Sequence, residues 1–516
     1  MTKEQKELTP SDVLLKGLTV EELEQLIEQT QHVGELENAY TLTPMQKGML
    51  FHSLVNPHLG AYFEQTTFTL QGAFDVIAFE KSLNVLVQRN EVLRTNFYSG
   101  WKEHPVQVVF REKPAGFLYE DLRELNEEQC EAYIATLLKR DKDKGFDLAH
   151  DTLMRVTILR TKDETYRFVW SFHHILMDGW CLSLIAKEVF EIFFAYQEQS
   201  QPQLAPVRPY SSFIEWLEKQ DGEAASRYWH DYLEGYEHQT ILGKTKRQEK
   251  PAEFVVKRHI ISLSEQLTQR MNQIAKQQNV TVNTFMQTAW GILLQKYNDN
   301  QDVVFGSVVS GRPTEVPGIE SIIGLFINTI PVRVRCEAEA TAAEVMEMLQ
   351  EQALASRAYD TYPLYEIQAQ TEQKQSLITH IMVFENFPVQ QQMEQLGSSS
   401  STGFEIVNVE TVEQTNYDFN LIVVPGAEIG IRLEYNASLY DQASVERIGG
   451  HLVHIMEQII QNPQITMKEL DLLTEEEKTQ ILEVWGIRQR AIRERRQFIS
   501  CSRSRWRGRP SGGSCI

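Results

Sequence analysis

The stretch Ser171-Phe172-His173-His174-Ile175-Leu176-Met177-Asp178-Gly179-Trp180 decides how the rest of the chain is read. It joins a strand to a helix. Upstream, Tyr166 to Phe172 is rich in aromatic and β-branched residues, which favour a strand. Side chains alternate along a strand. Phe168, Trp170, Phe172 and His174 therefore share one face, and His173 takes the other. Downstream, Leu182, Ile185, Ala186, Val189, Phe190 and Phe193 recur at helical spacing, and the helix is expected to begin near Asp178 or Gly179.

That junction can carry chemistry. A histidine at a strand end is held rigidly, and its pKa lies near neutrality, so it can take or give a proton. Gly179 lets a ligand approach the backbone, and the first-turn amides of the following helix stabilise a developing oxyanion. The same residues fit a plainer description: a satisfied core histidine and an aspartate N-cap. On residues alone, the stretch is either an acyl- or proton-transfer site or a buried histidine beside a helix cap.

Composition narrows the classes. The chain has 516 residues, enough for one very large domain or two lobes. Its net charge of −21 argues against nucleic acid as a partner. It contains no apolar run of about 18 residues and no signal segment, so no membrane is expected. Cys130, Cys181, Cys336, Cys501 and Cys515 lack metal-ligand spacing and are too few for a disulfide framework. A reducing cytoplasm and no metal are expected.

His-His-x-x-x-Asp-Gly at 173–179 resembles the core motif of condensation domains of non-ribosomal peptide synthetases, which belong with the chloramphenicol-acetyltransferase-like acyltransferases. Further segments resemble the family's other motifs in the same order. Leu42 to Leu54 resembles the first, with Pro44 near a helix start and His52 read as a helix-surface residue. Val85 to Phe97 resembles the second, with Asn90 where the family usually has His. Tyr210 to Trp216 resembles the fourth and Ile323 to Pro331 the fifth. Arg357 to Leu364 resembles the sixth, although the family often has His in the dipeptide before Tyr362. The resemblance covers about residues 40–480.

The resemblance implies an α/β fold of two chloramphenicol-acetyltransferase-like lobes arranged as a V around a central tunnel. Residues 1–38 are then a linker with one helix, which Thr19 and Glu22 would cap. Residues 39–215 form the N-terminal lobe, 216–253 the inter-lobe connection and 254–480 the C-terminal lobe. The implied reaction joins a carrier-bound donor acyl thioester to the α-amine of a carrier-bound aminoacyl thioester. His174 is the candidate base and the Gly179 amide region the oxyanion site. Asp178 is assigned to structure, paired with Arg312 as first choice and Arg89 as second, and His173 to packing. No cofactor is expected in the chain itself, because phosphopantetheine arms of partner carrier proteins bring the substrates. Expected partners are an upstream and a downstream peptidyl carrier protein and an adjacent adenylation domain, around a monomer excised from a larger synthetase. The linker helix favours an L-configured donor. The alternatives are an epimerisation domain of the same fold and a non-catalytic module that recruits carrier proteins.

Residues 486–516 break the pattern, with nine Arg, one Glu and no Lys. This basic tail is expected to be disordered and non-native. A permitted codon choice read two bases later yields a string resembling the start of an adenylation domain, which points to a reading-frame shift.

Overall fold

The computed structural model describes residues 8–55, 60–101, 104–243, 254–385, 403–412 and 415–483. Helix α1 (Val20–Thr30) opens with the reciprocal Thr19/Glu22 cap. It is followed by β1 (Leu36–Thr41), α2 (Pro44–Val55), β2 (Phe63–Gly72), α3 (Val76–Arg89), β3 (Thr95–Tyr98) and β4 (Val106–Phe110). Next come β5 (Gly116–Asp121), α4 (Glu127–Lys144), β6 (Met154–Lys162), β7 (Thr165–His173), α5 (Trp180–Gln197), α6 (Ser211–Leu217) and α7 (Gly222–Leu233). The rest comprises β8 (Val256–Ser262), α8 (Glu265–Gln277), α9 (Val282–Asn298), β9 (Asp302–Val309), β10 (Asn328–Arg335), α10 (Ala342–Ser356) and α11 (Leu364–Ala369). It ends with β11 (Ile381–Phe384), β12 (Phe404–Val412), β13 (Phe419–Val424), β14 (Gly430–Asn436) and α12 (Gln442–Gln461).

These elements build two α/β lobes. In the first, a five-stranded sheet runs β12-β2-β7-β6-β5. The Phe168–Trp170–Phe172 face of β7 packs into one core with Phe79 and Leu83 of α3 and Ile185 and Phe190 of α5. The opposite face meets α4 through Val169, Ile134 and Leu137. A small sheet, β1-β4-β3, receives α1 through Leu23 and Leu26. In the second lobe a six-stranded sheet runs β10-β9-β11-β13-β14-β8. Its central helix α9 buries Phe285, Trp290 and Leu293 against Leu421 and Leu433 of the sheet and Leu452 and Ile455 of α12. Among the described residues, no helix is long and apolar enough to cross a membrane.

Three features depart from the expected boundaries. Strand β12 comes from the C-terminal half but pairs antiparallel with β2, in the first lobe's sheet. Phe404 anchors it there, stacked on Phe194 with centroids 5.8 Å apart. The segment around Val316 to Phe326 also crosses over and is buried in the first lobe's core. Helix α7, expected within the connection, instead places Trp229 at 0% exposure against Val304 and Ile330 of the second lobe. Long-range partners decide all three, and local pattern carries no record of them. The polar run 244–253 and the basic tail 486–516 lie outside the described residues.

Candidate functional site

β7 ends at His173, and the backbone then turns. The amide of Leu176 donates to the His173 carbonyl and that of Met177 to the His174 carbonyl. This turn sends three side chains of the motif to three different places.

His173 is locked. Its Nδ1 accepts from the Ile175 amide at 3.1 Å, so Nε2 carries the proton and donates to Ser53 Oγ at 3.2 Å. Burial, with the neighbouring His174 charge second, pulls its pKa down to about 3. A neutral ring with both nitrogens engaged packs and orients.

His174 faces elsewhere. Its amide donates to the Tyr62 carbonyl at 2.8 Å, and its ring lines a cavity of about 210 Å³ between the lobes. Met45, His52 and Tyr62 of the first lobe line the same space, as do Asn328, Leu364 and Tyr417 of the second. His174 Nε2 lies 3.1 Å from Glu64 Oε1. Glu64 is itself only 3% exposed. In the β2–β7 register Glu64 stands opposite Phe172 and diagonal to the next residue on that face, within reach of a long side chain.

Local pattern does not single out Glu64, because it does not mark β2 as a strand. A signal is nevertheless present: Thr66, Phe68 and Leu70 share its face, so a carboxylate stands at a core-facing position. His52, expected on a helix surface, is half-buried on the cavity wall, and burial lowers its pKa.

Asp178 points away from the cavity into the lobe junction. Its Oδ1 receives Arg312 Nη2 at 3.1 Å, and its Oδ2 receives the Phe326 amide at 3.1 Å. Arg312 Nη1 also donates to the carbonyls of Ile319 and Ile322, at 2.7 and 3.0 Å. The Cys181 thiol donates to Asp178 Oδ1. Burial, then the Asp178 charge, pushes the pKa of that thiol up, so it stays a thiol. Gly324 accepts the Asp178 amide at 3.2 Å and lies flat on Tyr210, where an added Cβ would come within 2.1 Å of the ring.

Arg89 is not at this site. It binds Glu188 of α5 and the Ala205 carbonyl, both at 2.7 Å, because α3 packs along α5 and leaves its last turn beside that helix. Nor is Gly179 on the cavity wall. It caps α5 with ordinary helical φ of −59° and is absent from the residues lining the space. Among the described residues, no group of three or more His, Cys, Asp or Glu could hold a metal ion. The chemistry available at the cavity is proton transfer by His174 beside a buried carboxylate.

A family model, the condensation domain, matches residues 36–482. The chain is 53% identical over 481 residues to one of the subunits of mycosubtilin synthase from Bacillus subtilis, covering 93% of this chain and 18% of that one. It is 42% identical over 448 residues to tyrocidine synthase 2 of Brevibacillus parabrevis, covering 87% and 12%. It thus spans less than a fifth of the length of these relatives. Among solved structures, the starter condensation domain of rhizomide synthetase RzmA matches with a TM-score of 0.70 at 17% identity, over 84% of this chain and 100% of that one. The X-domain from teicoplanin biosynthesis matches with a TM-score of 0.70 at 20% identity, over 84% and 97%. These likenesses describe the fold.

Proposed function

The chain belongs to the condensation-domain family, and from that premise we propose that it forms a peptide bond between two carrier-borne thioesters. The acceptor's α-amine attacks the donor thioester carbonyl. The C–N bond forms, the C–S bond breaks, and the proton shed by nitrogen ends on the released thiol. The reaction needs two reactants held together, and a space walled by both lobes suits that, since positioning alone supplies much of the acceleration. His174 is the group that takes the proton or orients the amine. The observation carrying this reading is His174 on the cavity wall with Glu64 3.1 Å from its Nε2.

In this reading the substrates arrive on phosphopantetheine arms of an upstream and a downstream peptidyl carrier protein. An adenylation domain loads the acceptor, the donor has L configuration, and the work is done in the cytoplasm. The test is reconstituted turnover. Two carriers are loaded, one with an L- or D-aminoacyl donor and one with an acceptor, the chain is added, and mass spectrometry with chiral analysis follows the thioesters. Dipeptidyl thioester from the L-donor supports the proposal. An epimerised aminoacyl thioester without dipeptide would replace it with epimerisation. Carrier binding with no reaction over a wide panel would replace it with recruitment.

A further inference from the structure

We propose that Glu64 is a positioning residue for His174, holding the imidazole through Nε2 and fixing its tautomer and orientation. The inference rests on the reading of His174 as the proton acceptor.

The physical case begins with cost. A carboxylate at 3% exposure is expensive to bury unless a partner compensates its charge. Here the imidazole of His174 stands 3.1 Å away. A carboxylate only accepts, so a neutral ring facing it carries its proton on Nε2. One tautomer and one ring orientation are thereby selected. With Nε2 donating to Glu64, the proton that the attacking amine sheds is taken at Nδ1, a buried atom that the bound amine must reach; the ring becomes an imidazolium, and Glu64 stabilises that charge in a low-dielectric setting. The proton then passes to the departing thiolate, and the ring returns to its starting state.

The surroundings leave this role to Glu64. The titratable groups are His173 beside the ring, His52 on α2, and the phenols of Tyr62, Tyr365 and Tyr417 on the cavity wall, with burial raising that of Tyr365. Burial lowers the pKa of His52 and holds that of His173 at about 3, so both are neutral at neutral pH. Burial lifts the Tyr62 phenol and pushes that of Tyr417 up to about 12, so these are neutral too. Within this group, Glu64 is the carboxylate.

The experiment compares wild type, Glu64→Gln, Glu64→Asp and His174→Ala in carrier-to-carrier turnover across pH, each with a melting curve. Glu64→Gln keeps the shape and removes the charge. The expected result is about a hundredfold lower kcat. Glu64→Asp, too short to reach, should behave like Gln. Wild-type kcat in a folded Glu64→Gln protein overturns the proposal. 15N spectra of the wild-type imidazole decide independently of how that variant folds. A proton on Nε2 of the neutral ring supports the assignment, and a proton on Nδ1 overturns it. A folded His174→Ala chain with full activity removes the underlying reading. A dead His174→Ala beside an unaffected Glu64→Gln removes this inference alone.

Discussion

Two buried carboxylates serve the same motif and meet different cations. Asp178 and Glu64 are 1% and 3% exposed, so burial does not separate them. Asp178 faces Arg312 across the lobe junction, and Glu64 faces His174 beside the cavity. A guanidinium keeps its charge at every accessible pH, so the Asp178 pair is a permanent tie. It is reinforced by the Phe326 amide and by two carbonyls that hold the same arginine. An imidazole has two protonation states, so in the proposed reaction the Glu64 pair changes state within one cycle. Under the proposed function, equal burial gives structure in one place and chemistry in the other, and the partner's proton decides which.

The comparison breaks if Asp178 proves to be chemical. Asp178→Asn leaves Arg312 buried without its counter-charge, which costs about 3–5 kcal/mol. The expected outcome is a large fall in melting temperature and soluble yield. An unchanged melting temperature with lost turnover would move Asp178 into the reaction.

Acid should act next most strongly, through histidines kept neutral. Burial holds His173 and His380 at about 3. Unfolded histidines titrate near about 6.5, so below that pH the unfolded chain binds protons the folded one refuses. Stability is whole above about pH 6.5 and falls as pH drops towards 3, by about 1.4 kcal/mol per unit for each histidine. Asp360, whose carboxyl burial lifts from 3.8 to about 6, works the other way between those two values. The net loss from pH 6.5 to 5 is about 2–3 kcal/mol. Denaturant midpoints at the two pH values check this, and His380→Gln should flatten the slope. A midpoint independent of pH would contradict the neutral histidines.

Gly324→Ala sharpens the junction side. The new methyl would overlap the Tyr210 ring, whose hydroxyl donates to the Leu325 carbonyl at 2.5 Å. About 1–3 kcal/mol of destabilisation is expected, read by denaturant titration. The smallest effect belongs to Arg89→Ala. Its bond to Glu188 is partly exposed and engages neither carboxylate, so stability should change by less than about 1 kcal/mol and turnover not at all.

The strand–turn–helix around His173 and His174 is legible in the letters because its periodicity switches sharply, from β7 at Thr165–His173 to α5 at Trp180–Gln197. The strand Asp302–Val309 and the helix Gln442–Gln461 are legible for the same reason. Glu64 is not, because Phe63-Glu64-Gln65-Thr66-Thr67 lacks the apolar density that marks a central strand. The place of its strand β2 in mid-sheet comes from pairing with β7 on one side and β12 on the other, the latter more than 300 positions away in sequence. The choice between Arg312 and Arg89 is likewise a question of which loop crosses to which lobe, and letters alone leave both open.

The most direct measurement is dipeptidyl thioester formation by a folded His174→Ala chain, with carriers, concentrations and temperature as for the wild type. A loss of about 10²–10⁴-fold is expected in a chain that still folds, with the melting temperature lowered because buried Glu64 loses the partner facing it. Turnover near the wild-type rate would contradict this and leave the cavity as a place of positioning alone.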